Sequence, residues 1–476
     1  MCVIYTKTLR ADDHIYPTIK KNFSCFPMIT DKRNRAELRS LKSVGIGRKV
    51  GVVLLCSVYI LGVTSNLYLT RINPDLRDIL FLLTGFDIII VGVYLIIICR
   101  IVQRRLFKHN VLFYMYAVSI LFIQVYFHKL DMTIYMRLCA YIISGFFLFV
   151  IIGQILYFER YLLDNFLKFV AYSCAFLGAT AIISNFGAPT FFSLPFSDKF
   201  HYGVLGLHGT GGILEHPNTL GTEMLFGIGC SCYLFMRERK YIYLILLAFA
   251  GCGLLLGFHR GPWLAFFLAV SVCTVSIFNI PRRKLLIYYS ISALMVYAIL
   301  FGLYEYALKS DILYGFLRIE QRMSGRGEMW PIAIELIEKS PYKGYGFLSS
   351  DYLRWMYVWY DPGTSGFHNV ILDTALGSGM LVCFFYVLLL IIPFLRALFW
   401  SEDSDLKKLL IFITAAILVS VCFVNYNIGG LRSTSMLVAI LLGVAYNAGR
   451  EKKVESFVEK KMPIGVFPDY HLQPKR

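Results

Sequence analysis

Runs of about 20 apolar residues recur along this chain, and no other feature restricts its fold as strongly. A helix of that length crosses the ~30 Å hydrocarbon core of a bilayer. Lipid offers no partner to backbone N–H and C=O groups, so each run must close its hydrogen bonds internally, as a helix. The expected fold class is therefore all-α, a polytopic membrane protein. Only 16% of the 476 residues are charged, against ~25% in soluble domains. About twelve spans are expected, near 50–69, 78–99, 111–128, 136–158, 166–187, 214–236, 241–258, 262–280, 285–306, 369–395, 409–426 and 434–447.

The net charge of +17 does not point to nucleic acid, because the basic residues lie between apolar runs and in the tails, where anionic lipid attracts them. With the N-terminus inside, the short inner loops hold fifteen Lys and Arg and the short outer segments seven. This bias predicts both termini in the cytoplasm of a multi-pass inner-membrane protein. The expected organisation is a cytoplasmic tail over 1–49, a transmembrane domain over 50–447 and a second tail over 448–476. No secretory signal is read at the start, where residues 1–49 are polar and basic. The twelve cysteines fall mostly inside apolar runs and form no disulfide or zinc pattern. His201, His208 and His216 match no metal spacing, so neither metal nor cofactor is expected.

Two outer segments are long, 187–214 and 307–368. The second, between spans nine and ten, has helix-like stretches around 328–339 and 347–360, separated by Lys343-Gly344-Tyr345-Gly346. The same side receives His216-Pro217-Asn218, His259-Arg260, Ser324-Gly325-Arg326, His368-Asn369 and Arg432, from five separate stretches. Taken singly, each has a plain structural reading. Arg260 beside Trp263 suits a snorkelling interfacial arginine, and His216 before Pro217 suits a helix cap. Taken together, two guanidinium groups suit a pyrophosphate, since each offers a forked set of donors. His368 near two arginines should stay neutral and able to accept a proton. His216 and Asn218 are candidate substrate contacts.

Asp87 and Glu223 lie inside expected spans, where an ionisable group either serves an ion pathway or is paired within the bundle. The aromatic stretch 352–360 reads as an interfacial helix, and Asp403-Ser404-Asp405 as a solvated cytoplasmic loop.

In this order and placement the motifs resemble those of the O-antigen ligase and polysaccharide polymerase family, over roughly residues 200–395. The resemblance rests on His216-Pro217-Asn218, the Arg260 turn, and Ser324-Gly325-Arg326 with Glu328 and Trp330. It extends through Ser340-Pro341, Gly344-Tyr345-Gly346 and His368-Asn369, to Leu372, Gly377 and Gly379. It implies a metal-independent, inverting transfer of glycan from undecaprenyl pyrophosphate to a hydroxyl on the outer face of the cytoplasmic membrane. Arg260 and Arg326 match the family's pyrophosphate-binding arginines, and His368 its loop histidine. His259 departs from the small hydroxyl residue often found before that arginine. The implied partners are the lipid-linked oligosaccharide, an acceptor glycan or lipid, membrane lipids, a flippase and a chain-length regulator. Polymerase is the favoured expectation. A ligase acting on a lipid core or a protein remains open, as does a polysaccharide flippase, which the absence of an internal repeat disfavours.

Overall fold

The computed structural model describes residues 31–99, 110–129, 131–186, 190–191, 194–197, 209–277, 326–358, 366–400, 404–424 and 426–449, with a few positions between 284 and 295. Most of the expected ninth span, both tail ends, residues 307–325, His201, His208 and Asp403 lie outside the described residues. The chain divides into two compact units, Met1–Gly47 and Arg48–Arg476.

Among the described residues the architecture is helical, with one two-stranded antiparallel ribbon, β1 (Thr190–Phe191) and β2 (Leu194–Pro195). Six helical segments are long and apolar enough to cross a membrane. They are Gly45–Thr64 within α1 (Asp31–Thr64), α3 (Pro74–Cys99), α5 (Met132–Phe158), α6 (Arg160–Asn185), α7 (Pro217–Glu238) and α12 (Val370–Phe399). A short helix α2 (Tyr68–Ile72) precedes α3.

Five further expected spans form shorter helices of 14–18 residues: α4 (Val111–Phe127), α8 (Ile242–Leu256), α9 (Arg260–Ile277), α13 (Asp405–Ser420) and α14 (Ser433–Tyr446). In α8 and α13 part of the apolar run is spent on turns. Gly257 and Phe258 turn between α8 and α9, and residues 421–432 run between α13 and α14.

The spans differ widely in how much of each is buried. The span of highest mean hydropathy, α3 at 2.6, has 28% of its apolar window buried, whereas α7, at 1.2, is 83% buried. Lipid-facing helices must be apolar throughout, while an interior helix can carry polar groups that find partners. Every residue of α14 is buried. It packs against α5, where a Cβ added to Gly153 would stand 2.7 Å from the Cα of Gly443. On the other flank, a Cβ on Gly253 of α8 would lie 2.9 Å from the Cα of Gly178 on α6. Small residues at such crossings let helix backbones meet closely in lipid.

The segment before α12 contributes α10 (Arg326–Lys339) and α11 (Ser349–Val358), on either side of a turn in which Gly344 and Gly346 have φ of 62° and 107°. This agrees with the expected helix–turn–helix. The turn docks into a break in α12, where Gly379 leaves helical geometry at φ 81° and ψ 169°. Across the break, Tyr345 N–H donates to Leu376 O at 2.7 Å and Gly346 N–H to Gly377 O at 3.0 Å, while Met380 N–H donates to Pro341 O at 2.7 Å. Gln124 of α4 completes the joint, donating to Gly377 O at 3.1 Å and accepting from Phe347 N–H at 2.8 Å. Broken helix within a membrane protein persists only where its backbone groups are satisfied in this way. The joint also fixes α10 and α11 against α12.

Candidate functional site

Arg260 is the first residue of α9. The preceding turn is closed by Phe258 N–H donating to Leu255 O at 3.0 Å, with Phe258 at φ 44°, and Trp263 Nε1 reaches back to Leu254 O at 2.9 Å. Arg326 likewise begins α10. A cation at a helix N-terminus opposes the helix dipole, so neither arginine is placed to stabilise its own helix. An anion reaching either position would meet both the guanidinium and the helix terminus.

Phe423, in the segment after α13, joins these two elements. Arg326 Nη2 donates to its carbonyl at 3.0 Å and the guanidinium lies 5.8 Å from its ring centroid. The Trp330 ring is 6.3 Å from that of Phe423. Gly261 packs on the same residue, since an added Cβ would stand 3.0 Å from Phe423 Cβ. The Arg260 turn and the start of α10 therefore share one support.

His368 occupies the turn between α11 and α12, in left-handed geometry at φ 54°. Asn369 caps α12, its Oδ1 accepting from Ile371 N–H at 3.0 Å and Leu372 N–H at 3.2 Å, and Val370 N–H donates to Val421 O at 3.0 Å. The turn itself is held from three sides. Gly366 N–H donates to Asp351 Oδ1, Phe367 N–H to Asp373 Oδ1 at 2.9 Å, and Trp330 Nε1 to Phe367 O at 3.1 Å. Burial is the first cause that lowers the imidazole pKa, to about 4, and the cations Arg326 and then Arg354 add to it. Burial is thus the main cause, and the second arginine acting on the imidazole is Arg354, not Arg260.

His216 caps α7, its Nδ1 accepting from Asn218 N–H at 3.1 Å. Asn218 Oδ1 is buried and accepts no hydrogen bond among the described residues. This end of α7 touches the Arg260 turn. A Cβ on Gly257 would lie 3.4 Å from Pro217 O, and one on Gly221 would lie 2.9 Å from Pro262 Cγ. Arg432 precedes α14 and pairs with Glu215 at 2.5 Å.

The structure thus couples Arg326 to His368 directly, links the Arg260 turn to them through Phe423, and sets His216 and Asn218 behind that turn. Sequence reasoning missed Arg354, Asp351, Asp373, Glu215 and Phe423. Arg354 is 1% exposed, although the stretch around it reads as interfacial. The aromatic face of α11 is indeed exposed, at Tyr352, Trp355 and Tyr357, while Leu353 and Arg354 face inward. The Asp351–Arg354 spacing of three was the available signal, because such residues share one helix face.

Glu223 and Asp87 are both paired inside the bundle. Tyr59 OH donates to Glu223 Oε2 at 2.8 Å, Ser433 Oγ donates to Oε1, and Ser57 Oγ donates to Asp87 Oδ2 at 2.8 Å. Among the described residues, no three His, Cys, Asp or Glu side chains gather as a metal-holding group.

None of the curated proteins compared matches the chain. Residues 244–387 match the family model described as O-antigen ligase, a stretch that takes in Arg260, Arg326, Arg354 and His368 and leaves His216 and Asn218 outside. Over that stretch this multi-pass helical membrane chain is similar to the O-antigen ligase family.

Proposed function

We propose that the protein is a surface-polysaccharide polymerase, transferring a glycan from a lipid pyrophosphate to a sugar hydroxyl at the outer face of the cytoplasmic membrane. The observation that carries this reading is the electrostatic coupling of Arg326 to His368, with the Arg260 turn seated on the same Phe423.

In the proposed step the acceptor hydroxyl oxygen attacks the anomeric carbon and inverts it. The bond from that carbon to the phosphate oxygen breaks, and the pyrophosphate leaves on its lipid. The hydroxyl proton passes to the His368 imidazole as general base. Arg260 and Arg326 face the charge that grows on the leaving group, where preorganised cations lower a barrier most. Burial and the neighbouring cations leave the imidazole weakly basic, its pKa lowered to about 4. A bound pyrophosphate offsets the neighbouring cations and raises that basicity, so the donor itself would ready the base. Asn218 Oδ1, a buried acceptor near the Arg260 turn, suits a sugar hydroxyl.

The test uses purified protein with lipid-linked repeat units and no second acceptor. A ladder of lengthened glycans, lost in His368→Ala, is the expected result. Product that forms only when a separate lipid or protein acceptor is added would assign a ligase instead. No transfer under either condition would overturn the reading.

A further inference from the structure

Arg354 is the largest fully buried side chain of the described residues, and it lies on an otherwise amphipathic ten-residue helix of the outer loop. A buried guanidinium needs compensation. Here it acts electrostatically on Asp351 and Asp373, the two carboxylates that accept the Gly366 and Phe367 amides, and on His368 itself. The three groups come from α11 and α12 and converge under one turn, in which Gly366 and His368 both have positive φ, at 58° and 54°. A histidine in that region is uncommon, so the surroundings must impose it.

We propose that Arg354 is a positioning residue for the transfer reaction, a buried cation on the same helix face as Asp351, the carboxylate that fastens Gly366 in the 366–368 turn. At 1% exposed it is enclosed by the protein. The proposal rests on His368 acting in the reaction.

The charged groups around the imidazole are Arg326 at the start of α10, Arg354 and Asp351 on α11, and Asp373 on α12. Arg432 also acts on Asp351 while paired with Glu215. Arg326 lies on the route to the leaving group, and Arg354 lies beneath the turn. Substrate charge can offset the first, whereas the second keeps its influence through the cycle. Arg354 thereby keeps the imidazole uncharged before the donor arrives, without occupying the donor's place.

The test is the pH titration of the His368 imidazole resonance, by NMR of the full chain in detergent micelles, assigned by its loss in His368→Gln. It requires no substrate, so its outcome is separate from that of the transfer assay. In Arg354→Met, which keeps the bulk and removes the charge, the midpoint should rise by about one unit; in Arg354→Lys it should stay near the wild-type value. A purely space-filling role would leave the Met variant unmoved, and that result would overturn the proposal. Should Arg354→Met fail to fold, Arg354→Gln removes the same charge while keeping polar contacts, and the same upward shift is expected. A Gln variant that titrates as wild type would overturn it equally. If the shift appears while His368→Ala still transfers glycan, the electrostatic role stands and the assignment of His368 as base falls.

Discussion

Met380 donates its amide hydrogen to the carbonyl of Pro341 at 2.7 Å, across the break that Gly379 makes in α12. The segment carrying α10 and α11 is thus hydrogen-bonded into a membrane helix, and the position of both helices depends on that joint. A Cβ at Gly379 would run into Tyr342 O, and its φ of 81° suits glycine alone. Gly379→Ala should therefore destabilise the joint by about 1–3 kcal/mol. Thermal unfolding in detergent should begin lower, and limited proteolysis should open the 340–348 segment first. Unchanged protection of that segment would mean that the loop is held elsewhere.

The apolar runs and the helix–turn–helix of the outer loop were legible because each is written locally, in run length and in closely spaced glycines. Their outcome differed where tertiary contacts took over. Residues 434–447 read as a span, yet α14 is a wholly buried 14-residue helix, supported by Asn66 and Glu223 through Ser433. The outer-face motifs were legible as residue types. What joined them was not, because Phe423 acts through its carbonyl, which any residue offers, and through a ring in a chain with 39 phenylalanines. Arg354 was hidden for a related reason. Burial of a charged side chain is decided by partners such as Asp373, nineteen residues away on another helix.

Arg326 combines a helix N-terminus, contact with Phe423 and proximity to His368. Arg326→Ala should lower kcat by about 10²–10³-fold, the loss typical when one donor to a developing anion is removed. Arg326→Lys should recover only part of this, because an ammonium group lacks the fork that grips two phosphate oxygens. Steady-state kinetics with a lipid pyrophosphate donor check both. Full activity in the lysine variant would reduce the role of Arg326 to simple charge.

The pH dependence follows from the His368 shift. Its folded pKa, about 4, lies below the ordinary 6.5, so between those values the unfolded chain binds more protons than the folded one. Stability contributed by the neutral imidazole is complete above pH 6.5 and is lost as pH falls towards 4. For the free enzyme, the acid limb of kcat/KM should fall near pH 4. The limb of kcat should lie higher, because bound pyrophosphate raises the imidazole pKa. Initial rates from pH 4 to 8 test this, and a kcat/KM limb at 6.5 would contradict a buried imidazole.

Glu223 is completely buried and accepts from Tyr59 and Ser433, so its partners account for its place in the bundle. Glu223→Gln should leave glycan transfer near wild type, since hydroxyl donors can rotate to become acceptors. Glu223→Leu would strand both hydroxyls and cost roughly 1–3 kcal/mol for each. Detergent melting curves and transfer assays separate the two variants. Abolished function in a well-folded Gln variant would favour an ion-coupled transporter, for which a titrating carboxyl inside the membrane is essential.

The site is useful only where lipid-linked repeat units are presented, which sets a requirement on sidedness. Tyr342 is 82% exposed at the tip of the turn docked into α12, so a probe there reports the side on which α10, α11 and the His368 turn lie. A cysteine at this position should react with a membrane-impermeant maleimide in right-side-out vesicles, beyond the background of the unmodified chain, and be protected in inside-out vesicles. Arg326 and His368 are joined to the same loop through Trp330 and Phe367, so they share its side. Labelling only in inside-out vesicles would place all these groups in the cytosol. The arginines would then face nucleotide and free phosphate instead of exported lipid-linked glycan, and a transfer on the outer face would be impossible.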